Sequence, residues 1–121
     1  MCLAWDSTCV DTVAPSNVGH SVAFAGKSAN VAEAAKMEKY RELINRIIFV
    51  PLGFETIGGW GSECSKLVTE IGNLVMKKTG EKRASVFLRQ RLSVAIQRGN
   101  AASILGSFPP GSILGEIFSI P

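Results

Sequence analysis

Histidine is nearly missing from this 121-residue chain. His20 is its only one, and its three cysteines, Cys2, Cys9 and Cys64, include no Cys-x-x-Cys pair. A structural zinc site therefore has no ligand pattern to rest on, and an odd number of thiols does not suggest a disulfide framework. Reduced, buried thiols are expected instead. The chain also lacks any run of about 18 apolar residues, the length needed to cross a bilayer. Its first residues include Asp6 and no basic stretch, so secretion lacks its signal as well. These absences point to an intracellular location, cytoplasmic or nuclear. Net charge is small too: 13 basic against 10 acidic side chains leave +3, which permits contact with phosphate without demanding it.

What is present is enough to fold. Hydrophobic residues make up 46% and charged residues 19%, far from the low-hydrophobicity, high-charge signature of disorder. The length suits one domain with one core. We expect that domain at 1–105, with 106–121 as a Pro/Gly-containing tail, because three prolines and three glycines interrupt the pattern there.

Along the chain, Cys2 to Val10 is short, apolar and β-prone, and Asp11 to Gly26 reads as a loop. Lys27 to Ile44 is rich in Ala, Glu, Lys and Met with no internal Gly or Pro, which predicts a helix. Ile47 to Phe54 is a continuous apolar run of strand length, and Pro51 within it suggests a bulge or an edge. Gly58, Gly59 and Gly61 around Trp60 predict a tight turn, with Ser62 as N-cap of a helix running to Thr79 and closed by Gly80. A third helix is expected over Lys82 to Leu105, with Ala84, Leu88, Leu92, Ala95 and Ile96 on one stripe. The expected fold class is α/β: a small, incomplete mixed sheet flanked by three helices.

One helix face is chemically distinctive. Glu33, Lys36 and Tyr40 are spaced i, i+3 and i+7, so they share the side that should pack on the sheet. An ionised group there is costly unless it is paired or binds a metal. A Glu33 to Lys36 ion pair, with Tyr40 as a core aromatic, is the plain structural reading. Basic residues gather further along, where Lys66, Lys77, Lys78, Lys82, Arg83, Arg89, Arg91 and Arg98 face only Glu70 and Glu81. A solvated helix surface and a phosphate-binding surface both fit that distribution. Arg91 and Arg98, inside the broad apolar side of the third helix, are open to pairing with a buried acid or carbonyl, or to reaching a phosphate.

The ordered stretches C-L-A-W-D-S-T-C-V-D from Cys2, A-E-A-A-K-M-E-K-Y ending at Tyr40, F-V-P-L-G-F-E-T-I-G-G-W-G ending at Gly61, and the Phe87 to Gly106 segment with its Q-R-G-N at Gln97 to Asn100 carry a resemblance. Together they resemble the C-terminal region of non-LTR retrotransposon polyproteins, whose endonuclease belongs to the restriction-like PD-(D/E)XK class. The resemblance runs from Cys2 to Gly106. It implies a restriction-endonuclease-like core and a divalent-metal-dependent DNA endonuclease that nicks target DNA for a reverse transcriptase to prime from. It also implies the roles of site residues: Asp6 as a metal carboxylate, and Lys36 and Tyr40 as partners on the following helix, with Lys39 in the same KY element. The family's Pro-Asp pair has no counterpart, since only five residues precede Asp6; the expected domain is thus truncated at its N-terminus and inactive alone.

Mg²⁺ is a hard cation that needs more than one oxygen ligand to be fixed against a phosphate. Asp11 is five residues from Asp6 and points to the opposite face of a continuous strand, which leaves Glu33 as the better second metal ligand. Lys39, Lys77, Lys78, Lys82, Arg83, Arg91 and Arg98 are the candidate DNA contacts. No small-molecule substrate is expected. A non-catalytic nucleic-acid-binding or interaction module, and a functionless relic, preserve the same core residues and remain alternatives.

Overall fold

The computed structural model describes residues 2–21 and 23–109, the side chains of residues 20 and 21 excepted. The side chain of His20 and residues 110–121 of the expected tail thus lie outside the described residues. Strand β1 (Leu3–Val10) leads through a single helical turn, α1 (Val18–Ser21), to helix α2 (Lys27–Lys39). Strand β2 (Ile48–Glu55) follows, then helices α3 (Ser62–Thr79) and α4 (Ala84–Gly106). The described residues are mixed α/β, with three long helices around a two-stranded sheet.

The sheet is parallel rather than mixed, with Leu3 opposite Ile48, Asp6 opposite Pro51 and Val10 opposite Glu55. Among the described residues only an isolated bridge, Phe54 to Trp60, is antiparallel. Two parallel strands need a crossover, and α2 supplies it by packing on the sheet. Pro51 causes no bulge. Ile48 N–H donates to the Cys2 carbonyl and Thr56 N–H to the Val10 carbonyl, so even-numbered positions of β2 face β1. Odd positions face the other edge, where the missing N–H of Pro51 leaves no ladder bond unmade.

That outer edge is not bare. Gly53 accepts from Gly61 N–H and Glu55 donates to the Gly59 carbonyl, so the Gly-rich turn folds back on its own strand. Trp60 packs edge-on against Phe54 at 5.5 Å between centroids, as a packing role for the tight turn requires. In β1, even residues are half-buried under α2 and odd ones exposed, leaving Trp5 64% exposed on the open face.

Element boundaries differ from the sequence pattern in two informative places. The expected helix to Ile44 stops at Lys39, with Tyr40 as C-cap and a 3₁₀ turn at Arg41–Leu43. The N-cap of α3 is Gly61 rather than Ser62, and no side chain of the cap itself bonds back. The helix obtains its cap from elsewhere. Cys64 is buried, but Cys2, ahead of β1, is exposed, and so is Cys9, whose odd position in β1 faces away from α2.

Candidate functional site

The half-buried side of β1 carries Asp6 toward α2, and α2 brings Lys36 and Tyr40 to it from positions one turn apart. Lys36 Nζ lies 2.7 Å from Asp6 Oδ2, joining residues thirty apart in sequence. The Tyr40 ring packs at 4.9 Å from Phe49 on the same side of the sheet, and Lys39 Nζ stands 5.2 Å from the Tyr40 ring. Three residues singled out by spacing and by resemblance therefore converge at one place.

Electrostatics follow from that geometry. The hydrogen bond from Lys36 holds the Asp6 carboxyl below the usual value of 3.8 against the opposing effect of partial desolvation. The charge of Lys36, the Tyr40 hydroxyl and the charge of Lys39 add to the lowering. Asp6 in turn raises Lys36 above its usual value of 10.5. Both groups are ionised at neutral pH, and the expected Glu33 to Lys36 pairing is replaced by Asp6 to Lys36. An ammonium in this position can transfer to an incoming phosphate oxygen, which offers an equivalent anionic acceptor.

Glu33 is differently occupied. It is 3% exposed, and its Oε1 accepts hydrogen bonds from Gly53 N–H and Cys64 N–H, each 3.0 Å. Its Oε2 accepts from Glu63 N–H at 3.0 Å, while Asn30 Oδ1 accepts from Ser62 N–H at 2.8 Å. The first three N–H groups of α3, which no helix can satisfy internally, are thus met by two side chains of α2. Glu33 completes a helix N-terminus and an edge N–H, so the cation it was expected to share with Asp6 would have to compete with three backbone donors for its oxygens. Asp11 also does not replace it, since Oδ1 accepts from Val13 N–H at 3.0 Å in a local turn. No group of three or more His, Cys, Asp or Glu among the described residues is arranged to hold a metal ion. These residues do not fit a bound Mg²⁺: Asp6 is one carboxylate already neutralised by Lys36.

A second capping carboxylate escaped the sequence pattern. Glu55, 4% exposed at the end of β2, accepts from Gly26 N–H at 3.1 Å through Oε2 and from Ala29 N–H at 3.2 Å through Oε1, closing the start of α2. The available signal was negative: Gly26 and Gly61 precede helices without Ser, Thr, Asp or Asn in the cap position. Gly61 is itself required, since a side chain there would run into the Glu33 carboxylate.

Of the candidate DNA contacts, Lys39, Lys77, Lys78, Lys82 and Arg83 are exposed, the middle pair in the last turn of α3. Arg91 and Arg98 are also exposed, and neither forms an ion pair among the described residues. Arg89 alone in this basic stretch is structural. Its Nη2 donates to Ser65 Oγ at 2.9 Å and Thr69 Oγ1 at 2.8 Å, and its guanidinium lies 5.2 Å from the Trp60 ring. Gln97 and Asn100 donate to the Thr56 carbonyl, so that pair holds α4 against the end of β2.

No helix among the described residues is long and apolar enough to cross a membrane. Comparison with protein-family models, with curated proteins and with solved structures finds no match.

Proposed function

We propose that this chain is derived from a restriction-like DNA endonuclease of retrotransposon origin, retaining part of a phosphodiester-cleaving centre and acting by itself as a nucleic-acid-binding module. The observation that carries this reading is the 2.7 Å contact between Lys36 and Asp6 with Tyr40 beside it. A parallel strand pair with a crossover helix that delivers lysine and tyrosine to a strand aspartate supports a restriction-like ancestry. In the ancestral reaction Lys36 would neutralise charge on the cleaved phosphodiester, the part of that chemistry that this chain's own residues retain. Asp6 alone is too few ligands for Mg²⁺, so these residues do not cleave DNA unaided.

Binding rests on the exposed side chains Lys39, Lys77, Lys78, Lys82 and Arg83, which suit phosphate contacts that position without reading bases. The test pairs two assays on the purified chain. Supercoiled plasmid with Mg²⁺ should stay intact; nicking that disappears in Asp6→Ala would show that a second ligand is recruited and would overturn the non-catalytic part. Filter binding at two salt concentrations should show affinity falling steeply with salt, and replacing Lys77, Lys78, Lys82 and Arg83 with Gln should flatten the slope by about one unit per lost contact. Undetectable or salt-independent binding would remove the nucleic-acid role.

A further inference from the structure

Helix α4 is 23 residues long, yet Ala84 is its only buried residue. Its half-buried side carries Leu88, Leu92 and Ile96, with Arg89 tied to Ser65 and Thr69 of α3. The other side has an order of its own. Phe87, Val94 and Ala101 recur at seven-residue intervals, and Arg91, Arg98 and Leu105 form a second row four residues on. At 100° per residue both rows fall within a sector of about 80°, roughly opposite the half-buried stripe. Phe87 is 48% exposed, Val94 53% and Leu105 38%. Gln90 and Ala95 flank the two rows, and with Phe87, Arg91, Val94 and Arg98 they make one open surface on this side of α4.

A seven-residue apolar repeat flanked by a charged row is the pattern by which one helix receives another, the charged row choosing the partner. Here that row is of one sign, since α4 contains no Asp or Glu. A second copy laid on the same face would oppose arginine with arginine and supply no carboxylate. Phosphate backbones would be matched by the charges but not by exposed Phe87 and Val94. Between Ala84 and Gly106 the basic residues are all Arg, with no Lys. Arginine with aromatic and aliphatic side chains, and without lysine, is the composition of protein interfaces.

We propose that this face of α4 docks an acidic amphipathic helix of a partner protein, its apolar residues seated on Phe87, Val94 and Ala101 and its carboxylates, spaced by seven, on Arg91 and Arg98. From Phe87 to Leu105 the contact is about 27 Å long at 1.5 Å per residue. Arg91 and Arg98 are thereby assigned to a protein contact rather than to DNA, and the assignment stands whether or not the chain binds DNA elsewhere.

The probe is a labelled synthetic helix of three heptads with Leu at the two seam positions and Glu at the flanking positions, titrated with the full chain by fluorescence anisotropy. Saturable binding is expected, weakened about tenfold or more when the peptide's Glu are replaced by Gln. A chain carrying Arg91→Glu and Arg98→Glu should lose affinity to the same extent while its circular dichroism stays unchanged. A milder Arg91→Gln, Arg98→Gln chain, should the reversal disturb folding, is expected to give an intermediate loss. Equal binding of acidic and neutral peptides, or indifference to both double substitutions, would overturn the proposal. So would absence of peptide binding combined with loss of duplex DNA binding in the double variants, or self-association in sedimentation that they abolish.

Discussion

Replacing Glu33 with glutamine tests the central structural assignment, that this carboxylate caps α3 rather than holds a metal. Glu33 is 3% exposed and accepts three backbone N–H bonds, two through Oε1 and one through Oε2. Glutamine keeps one carbonyl oxygen for Gly53 and Cys64 but sets an NH₂ against Glu63 N–H, so one bond becomes a donor facing a donor. Hydrogen bonds to a charged acceptor contribute about 1.5–3 kcal/mol each and a stranded buried donor costs a similar amount, so Glu33→Gln should destabilise by about 2–3 kcal/mol. For a domain near 100 residues this is a Tm decrease of about 10–20 °C. Glu33→Ala strands all three donors, two of them buried, and should cost about 3–5 kcal/mol, a large part of the 5–15 kcal/mol typical of a whole domain. Calorimetry and urea unfolding, with and without Mg²⁺, measure it. If Glu33→Gln stays within about 0.5 kcal/mol of the parent, the range of an ordinary surface change, the capping assignment is refuted. A parent chain whose Tm rises with Mg²⁺ while Glu33→Gln does not respond would restore the metal role.

Other expectations follow from single contacts. Asp6 has its folded pKa lowered by Lys36, so its stabilisation is present above the unfolded value of 3.8 and is lost as pH falls through the lower folded value; Asp6→Asn should therefore be less stable than the parent at pH 6, and urea titrations should show the difference shrinking as pH falls below 3.8 and vanishing once the folded carboxyl is protonated. Burial pushes the Cys64 thiol up to about 12, with the nearby Glu33 charge adding to the rise, so a thiol reagent at pH 8 should label exposed Cys2 and Cys9 and reach Cys64 only on unfolding. Gly53→Ala would set a Cβ 2.6 Å from the Ala29 carbonyl oxygen and should cost about 1–3 kcal/mol, whereas Gly99→Ala in α4 meets nothing within 4 Å and should stabilise by up to about 1 kcal/mol; thermal melts decide both. Arg89→Met removes the bonds to Ser65 and Thr69 and the Trp60 contact, and should lower stability by about 2 kcal/mol in the same assay.

Periodicity and composition were enough to locate the long elements, because Ile47 to Phe54 is a continuous apolar run, α2 lacks internal Gly or Pro, and the apolar stripe of α3 persists through Gly72 to its stop at Gly80. Helix ends were less legible. Nothing local stops α2 at Lys39; Tyr40 leaves the helical path where its ring meets Phe49, a residue on another element. The approach of Lys36 and Tyr40 to the sheet was readable from their spacing, since one helix face must meet the strands. Their partner Asp6 came from resemblance alone, as no local pattern links residues thirty apart. Glu33 was placed on the correct face with the wrong partner, because a helical wheel gives direction around one axis and cannot say that the start of another helix stands there. Glu55 and Asn30 had no one-dimensional signal beyond the missing caps at Gly26 and Gly61.

The two tertiary caps couple elements that are far apart in sequence. Glu55 can close α2 only after Thr56 and the Gly-rich turn have brought the end of β2 beside Gly26, and Asn30 and Glu33 can start α3 only once α2 lies on that strand. A first helical turn is the unfavourable part of helix growth, and in α3 its three leading N–H groups are held by side chains of α2. Hydrogen exchange should find the amides of Ser62, Glu63 and Cys64 opening together with the start of α2, and substitutions at Glu33 and Glu55 should be non-additive despite touching different helices. Each glutamate thus makes the first turn of one helix depend on the placement of another element, so that the ends of α2 and α3 share one stability instead of having two.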